Sequence, residues 1–161
     1  MVNTVICLDV QGNTYEIPVD ELQWRPSSYG IVIKDNKVLL SKQFGDSYDL
    51  PGGGVDLGED PKAAVVREVK EETGIDAIDP KNLGVENSFF HSAHGNKKSY
   101  HSILMYYACT FQGGELSTDG FDEYEKEYAE IAEWVPVDSI DVIKIASTVD
   151  FRPYIKQAAQ L

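Results

Sequence analysis

Short runs of β-branched and apolar residues, separated by turn residues, recur along the chain and predict strands. Residues 5–10 and 14–18 flank Gln-Gly-Asn, so the sequence predicts an N-terminal hairpin at about residues 4–18. Residues 29–33 and 37–41 are joined by Lys-Asp-Asn and predict a second hairpin. Each pair is expected to form two neighbouring antiparallel strands.

One segment carries the signals of a helix. Asp60 is a favourable N-cap residue, and Pro61 suits the first helical position. Residues 62–73 are mostly helix formers, and Gly74 is typical of a helix C-cap. The sequence thus predicts a helix that begins near residue 61 and ends at residue 73.

The rest of the chain predicts more strands and two further helices. Residues 84–91 and 99–111 are expected to be strands around a loop at 91–98, and a last strand is expected at 132–137. The two expected helices are residues 138–145 and 150–159. Many strands with one strong central helix and a C-terminal helix favour a sheet covered by helices. Because no repeat or linker interrupts the pattern, residues 1–161 are expected to form a single domain.

Charge limits the classes of partner. The 161 residues include 27 acidic and 14 basic side chains, which gives a formal net charge of −13. Such a chain does not offer the basic face that a nucleic acid polymer needs. A small anionic ligand would also be repelled, unless a divalent cation reversed the sign of the charge at its site.

The two cysteines, Cys7 and Cys109, lack a pairing pattern and a zinc-binding spacing. They are typical of reduced, buried thiols in a cytosolic protein. The N-terminus lacks the basic start and long apolar stretch of a signal peptide, and no apolar run approaches the ~20 residues of a membrane span. We therefore expect a cytoplasmic protein with no membrane partner.

Three glutamates, Glu68, Glu71 and Glu72, lie within five residues of the predicted helix. At about 100° per residue they share one face, which borders the apolar stripe of Val65 and Val69 rather than opposing it. Carboxylates that converge at the edge of a core repel one another and lose solvation. A hard divalent cation relieves both costs, and Mg²⁺ favours such oxygen ligands together with substrate phosphate.

Two neighbouring features fit a cation site. Arg67 lies one position before Glu68 and four before Glu71, so its guanidinium can pair with an acid and orient it. The glycine run at residues 52–54 leaves backbone groups uncovered, and backbone carbonyls can ligate a cation. From the clustered acids alone, a solvated charged face would be the simpler interpretation.

The spacing of these residues resembles a known motif. Gly53 is followed after five residues by Glu59, and after seven more by the segment 67–75, which reads Arg-Glu-Val-Lys-Glu-Glu-Thr-Gly-Ile. The Nudix box is thus matched without a mismatch between residues 53 and 75. Residues 48–53 are similar to the segment that usually precedes the box, and residues 134–138 to a later strand of the family. The resemblance covers most of the chain.

The resemblance implies an α/β fold, with an α/β/α sandwich around a central mixed β-sheet. It also implies a metal-dependent pyrophosphohydrolase that acts on phosphoric anhydrides, with a small-molecule nucleoside diphosphate derivative as substrate and Mg²⁺ or Mn²⁺ as cofactor. Carried over by position, the metal ligands would be Glu68, Glu71, Glu72 and the carbonyl of Gly52. Arg67 and Glu59 would hold the box together by charge pairing.

The resemblance leaves two places open for the general base. Glu68 is the first candidate. Some members of the family use an acid from a downstream loop, which here would be Glu127, Glu130 or another acid of residues 119–130. One of these downstream acids is also expected to complete the metal site.

Basic residues outside the box are candidates for contact with substrate phosphate, namely Arg25, Lys42, Lys97 and Lys98. For Arg25 and Lys42 a surface role is the favoured interpretation, and contact with phosphate is the alternative. The loop at 91–98 contains or adjoins all three histidines, His91, His94 and His101. That loop is expected either as an exposed hairpin tip or as a lid, in which a histidine serves as acid or base.

The alternative function is a Nudix-fold sensor that binds nucleotides without cleaving them. Such modules usually carry a damaged box, whereas the charged positions of the box are all present here, so an enzyme is favoured. An isopentenyl diphosphate isomerase is a weaker option, because no matching cysteine–glutamate site is evident.

The substrate stays open among oxidised or ordinary nucleoside triphosphates, dinucleoside polyphosphates and nucleotide sugars. Between Ile75 and Tyr100 the only proline is Pro80, so an ADP-ribose subgroup that carries a proline further downstream gains no support. Zinc-bearing NADH-type enzymes gain none either, because their cysteines are missing. Many members of the family dimerise, so a homodimer is an expectation that the sequence does not decide.

Overall fold

The computed structural model describes residues 3–161. Ten strands of this part of the chain form one mixed sheet. In chain order the strands are β1 Thr4–Leu8, β2 Thr14–Pro18, β3 Gln23–Lys34, β4 Lys37–Gln43, β5 Ser47–Asp49, β6 Gly52–Gly54, β7 Ile75–His91, β8 Ser99–Gly114, β9 Ala129–Pro136 and β10 Lys144–Ile145. The helices are α1 Pro61–Thr73, α2 Glu125–Tyr128 and α3 Arg152–Ala158, and 3₁₀ turns occupy Val19–Glu21 and Val137–Val142.

The strand order is β10-β5-β4-β3-β8-β7-β1-β2, with β6 paired to β3 and β9 paired to β4. β3 runs parallel to β8, β1 to β7 and β10 to β5, whereas the other pairs are antiparallel. β3 is therefore a central strand with the glycine strand β6 on its N-terminal half. This pairing places residues 52–54 directly beside residues 27–29.

Helix α1 covers one face of the sheet. The Asp60 side chain accepts a hydrogen bond from the Lys62 amide (2.7 Å), and Gly74 ends the helix in the left-handed region at φ +79°. Val65 and Val69 are fully buried against the sheet. The helix predicted from the sequence is confirmed, together with both of its caps.

Helix α3 and the 3₁₀ turn at Val137–Val142 cover the opposite face. Phe151 and Ile155 are fully buried there, in a cluster that includes Ile31 and Tyr106 of the sheet. The fold is therefore an α/β/α sandwich around a mixed sheet, as the resemblance implied. Within residues 3–161, no helix has the length and apolar character needed to cross a membrane.

The strand expected at 84–91 is longer than predicted. β7 begins at Ile75, immediately after α1, and its first part contains polar residues and Pro80. The register between β7 and β8 shifts three times before Gly84, which are the irregularities that β-bulges produce. The prediction failed because pairing with a long partner strand overrides a local sequence that favours turns.

The helix expected at 138–145 is wrong. The chain forms a 3₁₀ turn followed by the short strand β10, which pairs with β5. Just after β10, the Ala146 amide donates to the Tyr48 carbonyl (2.7 Å). Hydrogen bonds to the sheet edge thus satisfy backbone groups that a helix would have satisfied internally.

Candidate active site

A cavity of about 550 Å³ lies where β6, the C-terminal half of α1 and the segments after β4, β7 and β8 meet. Among the described residues, seven acidic side chains and two arginines line this cavity. The acidic residues are Asp9, Asp49, Glu68, Glu71, Glu72, Asp122 and Glu125. Because negative charge dominates, an anionic substrate needs a cation with it.

Arg67 links the loop before α1 to the acidic face of the helix. Its Nε and Nη2 donate to the two carboxylate oxygens of Glu59, at 2.8 and 2.9 Å. Its Nη1 donates to Glu68 (2.8 Å) and to Glu71 (3.1 Å), and Nη2 also reaches the Gly54 carbonyl (3.3 Å). The hydrogen bonds from Arg67 lower the pKa of Glu59 to about 2. The charge pairing expected from the box is present in this geometry.

Glu72 and Glu68 are carboxylates in a poorly solvated place. Burial raises the pKa of Glu72 well above its ordinary value, although the Ser41 hydroxyl donates to it at 2.8 Å. Burial also raises the pKa of Glu68, although Arg67 opposes the shift. Both groups are held in an environment that disfavours negative charge, so a nearby positive charge would stabilise them.

The donor set fits a hard divalent cation. Arg67 Nη1 stands between Glu68 and Glu71, so one positive charge already contacts both carboxylates. No three acidic, histidine or cysteine side chains of residues 3–161 converge on a single point in this arrangement. Binding of a cation therefore requires these carboxylates to turn away from the guanidinium. The available donors are carboxylate oxygens, which Mg²⁺ and Mn²⁺ prefer.

The glycine strand approaches the same carboxylates. A Cβ atom at Gly53 would lie 2.8 Å from Glu68 Oε1, so any larger residue there would displace this carboxylate. The Gly52 amide donates to Glu72 at 3.3 Å. The sequence pointed to the carbonyl of Gly52 as a ligand, and its amide is the group in contact with an acid here.

Two acids of the downstream segment, Asp122 and Glu125, line the cavity. Glu125 is the partly buried one, at the start of α2, and burial raises its pKa. Asp122 orders the turn: its carboxylate accepts from the Glu125 amide (2.7 Å), and its own amide donates to the Glu125 side chain (2.9 Å). Glu127 and Glu130, which the sequence singled out by name, are exposed and do not line the cavity.

Of the four basic residues proposed for substrate, only Arg25 lines the cavity. Its guanidinium lies over the Tyr100 ring, 5.5 Å from the centroid. Lys42 instead pairs with Glu133 (2.8 Å) and lies 3.8 Å from Glu130. The two loop lysines, Lys97 and Lys98, are exposed and do not line the cavity either.

The loop at 91–98 forms part of an aromatic rim. His94 lies 5.6 Å from Phe44, ring centroid to ring centroid, and Phe44 stacks on Tyr128 at 5.3 Å. Tyr124 packs edge-on against Tyr128 at 5.1 Å. His91 also lines the cavity. His101 lies outside the cavity and the rim, where it packs on Trp24 and Phe89. This rim could not be predicted from the sequence, because its members come from three segments that are far apart along the chain.

Asp49 is a further acid of the cavity that the sequence did not single out. Burial raises its pKa to about 7, and the Leu50 amide donates to it at 2.8 Å. Its position just before Pro51 carries no local signal of function. The side chain reaches the cavity because β5 pairs with β4.

Comparisons with known proteins agree with this geometry. A family model described as "NUDIX domain" matches residues 24–157. The chain is 40% identical over 106 residues to an ADP-ribose pyrophosphatase of Methanocaldococcus jannaschii, which covers 63% of this chain and 59% of that protein. It is 30% identical over 123 residues to the NAD-capped RNA hydrolase NudC of Vibrio atlanticus, covering 73% of this chain and 39% of that protein. The match thus spans about half the length of these relatives.

The fold also has close counterparts among solved structures. A NUDIX hydrolase from Nitrosomonas europaea superposes with a TM-score of 0.62 at 18% identity, covering 86% of this chain and 89% of that chain. At this identity the likeness concerns the fold alone.

Proposed function

The chain belongs to the Nudix family, and from this premise we propose that it hydrolyses a diphosphate linkage in a nucleoside diphosphate derivative with Mg²⁺ or Mn²⁺. The observation that carries the proposal is the meeting of Glu68, Glu71 and Glu72 in one cavity with the Arg67–Glu59 pair behind them. Sequence spacing and three-dimensional placement support the same site.

The proposed metal ligands are Glu68, Glu71 and Glu72 on α1, with Glu125 from the facing segment. When bound, the divalent cation would neutralise the diphosphate and lower the pKa of the attacking water. Glu68 is the proposed general base, since a carboxylate beside that water can accept its proton. Glu125 is the second candidate for this role, because it is the partly buried downstream acid of the cavity.

The two arginines have different proposed roles. Arg67 is bound to three carboxylates, and its paired contact with Glu59 is proposed to hold the loop before α1 against the helix that carries Glu68 and Glu71. Arg25 has no carboxylate partner among residues 3–161 and lies at the cavity, so it is proposed to bind a phosphate oxygen of the substrate. Lys42 is already paired with Glu133, and the exposed loop lysines need a loop movement to take part.

ADP-ribose is the first substrate to test. The 40% identical relative is named an ADP-ribose pyrophosphatase, and a cavity of about 550 Å³ is within the usual range for a small-molecule site. A purely nucleotide-binding module is less favoured, because such a module does not need three crowded carboxylates in the same cavity. A cytoplasmic location is also proposed, supported by two buried cysteines that are free.

The test is a panel of nucleotides with chromatographic product analysis, in Mg²⁺ and in EDTA. We expect ADP-ribose to give AMP and ribose 5-phosphate only with the metal, and reaction in ¹⁸O-labelled water to reveal which phosphorus is attacked. Glu68→Gln should lower kcat at least about 100-fold while the circular dichroism spectrum is unchanged. Binding of nucleotides without turnover in Mg²⁺ or Mn²⁺ would contradict the proposal and favour the sensor.

A further inference from the structure

Two adjacent serines on β3 have buried hydroxyl groups without a partner. Ser27 is 1% exposed and Ser28 is fully buried. Neither Oγ atom has a hydrogen-bond partner among residues 3–161. A buried hydroxyl without a partner destabilises a fold, so each of the two groups calls for an explanation.

The two hydroxyls point to opposite faces of the sheet, because side chains alternate along a strand. Ser27 shares its face with Arg25 and Tyr29, and all three line the cavity. Ser28 shares its face with Gly30, where an added Cβ would collide with Val69 of α1. Ser27 is thus placed to meet a ligand, whereas Ser28 is sealed under the helix.

Three small residues near Ser27, namely Gly54, Ser88 and Ser102, form a recess over the sheet. The cross-strand partners of Ser27 are Gly54 on β6 and Leu104 on β8. In the adjoining row of the sheet, Arg25 pairs with Ser102 on β8. Ser102 in turn pairs with Ser88 on β7, so the three serines lie on the same face of neighbouring strands. These small groups leave room over the sheet that bulkier strand residues would fill.

The recess is a built part of the cavity. Ser88 and Ser102 are 6% and 5% exposed, and both line the cavity with Ser27. The Ser88 hydroxyl lies 2.8 Å from the Thr148 hydroxyl, which ties the segment before α3 to this wall. Hydroxyl groups donate as well as accept, so the wall suits an uncharged group that does both.

Arg25 adds a positive charge to this wall. It lies beside Ser102 in the sheet, and its guanidinium has no carboxylate partner among residues 3–161, whereas Arg67 is paired with three carboxylates. A phosphate held by Arg25 would place the group on its ester oxygen over the recess. In a nucleoside diphosphate derivative that group is a sugar ring with free hydroxyls.

We propose that Ser27, with Ser88 and Ser102, forms a subsite for a sugar ring esterified to the substrate diphosphate, and that Ser27 helps to select sugars with free hydroxyl groups. This inference rests on the proposed hydrolytic function, and it adds that the site recognises a sugar ring of the substrate. The sugar is either the nucleoside ribose or the ring on the other phosphate, and the experiment distinguishes them.

The test compares Ser27→Ala with Ser28→Ala, a matched control that removes the same kind of buried hydroxyl from the other face of the same strand. Affinities for AMP and for ribose 5-phosphate are measured by titration calorimetry in Mg²⁺. KM and kcat for ADP-ribose and the Tm of each variant are measured alongside. Ser27→Ala should lower the affinity for one of the two products roughly 2–10-fold and raise the KM for ADP-ribose by a similar factor. Its kcat should stay close to that of the wild type, and its Tm should not fall, because the substitution removes a buried hydroxyl without a partner.

Ser28→Ala should leave both affinities and KM unchanged. The product whose affinity falls in Ser27→Ala contains the sugar that occupies the recess. Equal affinities and KM values for the two variants would overturn the subsite while leaving the hydrolytic function intact, and so would equal losses accompanied by a lowered Tm in both. A wild-type protein that neither binds nor cleaves any nucleotide of the panel would overturn the subsite and the proposed function together.

Discussion

Arg67 binds Glu59 through two parallel hydrogen bonds, 2.8 Å from Nε to Oε1 and 2.9 Å from Nη2 to Oε2. The remaining nitrogen, Nη1, contacts Glu68 and Glu71. One side chain thus fixes the loop that carries Glu59 to the acidic face of α1. A planar guanidinium can do this, whereas an ammonium group cannot make the paired contact.

Arg67→Lys is therefore expected to lower kcat/KM by about 10–100-fold, because the loop that carries Glu59 loses the paired contact that fixes it to α1 beside the carboxylates. The measurement is steady-state turnover with Mg²⁺ over a range of concentrations. Arg152→Lys is the matched control, since Arg152 makes the same paired contact with Asp150 at 2.8 and 2.9 Å outside the cavity lining. Equal effects of the two substitutions on kcat/KM would contradict a special role for Arg67.

Glu125 is expected to be the downstream acid that matters for turnover. Glu125→Gln should lower kcat roughly 10–100-fold, because a partly buried carboxylate of the cavity loses its charge. Glu127→Gln, on the exposed side of the same short helix, should leave kcat unchanged. Rates of AMP formation decide the point, and a larger loss in Glu127→Gln would move the role to that residue.

Gly53→Ala is expected to impair the site with little change in stability. The new Cβ would come within 2.8 Å of Glu68 Oε1, and the flexible end of a glutamate can move away. Since Arg67 restrains that carboxylate, we expect kcat to fall at least about 10-fold and the Tm to change by only a few degrees. Gly113→Ala, where no atom lies within 4 Å of the added Cβ, should leave kcat unchanged. An unaffected kcat in Gly53→Ala would show that the close approach is unimportant.

Asp49 gives a prediction about pH and stability. Burial raises its pKa to about 7 in the folded protein, above the ordinary value near 4 of an unfolded chain. The folded state therefore holds a proton that the unfolded state releases, and the stability from this group is lost as pH rises from about 4 to 7. Asp49→Asn removes this dependence, so it should gain stability over the wild type between pH 5 and pH 8, by up to roughly 3 kcal/mol.

Urea unfolding in EDTA at the two pH values measures this difference. Asp46→Asn is the control, because Lys144 lowers the pKa of Asp46 and both its folded and unfolded values lie below pH 5. Its effect on the free energy of unfolding should be nearly constant between pH 5 and pH 8. Parallel pH profiles for the wild type and Asp49→Asn would contradict the assigned pKa.

Helix α1 and the acidic box could be predicted from the sequence because their determinants are local. Asp60 and Gly74 cap the same helix that carries Glu68 and Glu72, so spacing alone defines the group. The resemblance to the family extended this to the fold. The pairing of β-strands across the sheet was harder to predict, as the early start of β7 demonstrates.

The remainder of the cavity depends on contacts between distant segments. Ser27 lines the cavity because its strand β3 pairs with β6, and Asp49 because its strand β5 pairs with β4. Neither residue lies in a local sequence pattern that indicates function. Lys42 was a reasonable phosphate ligand on charge alone. Its partner Glu133 is 91 positions along the chain, and the two side chains meet because β4 pairs with β9.

The carboxylates of α1 are expected to hold a divalent cation. Anomalous diffraction from crystals soaked in Mn²⁺ is the sharpest test of this site. We expect a strong anomalous peak in contact with Glu68, Glu71 and Glu72, with Arg67 Nη1 no longer between the first two. The absence of a peak there at saturating Mn²⁺, with Glu68 and Glu71 still on Arg67 and Glu72 on Ser41, would contradict it.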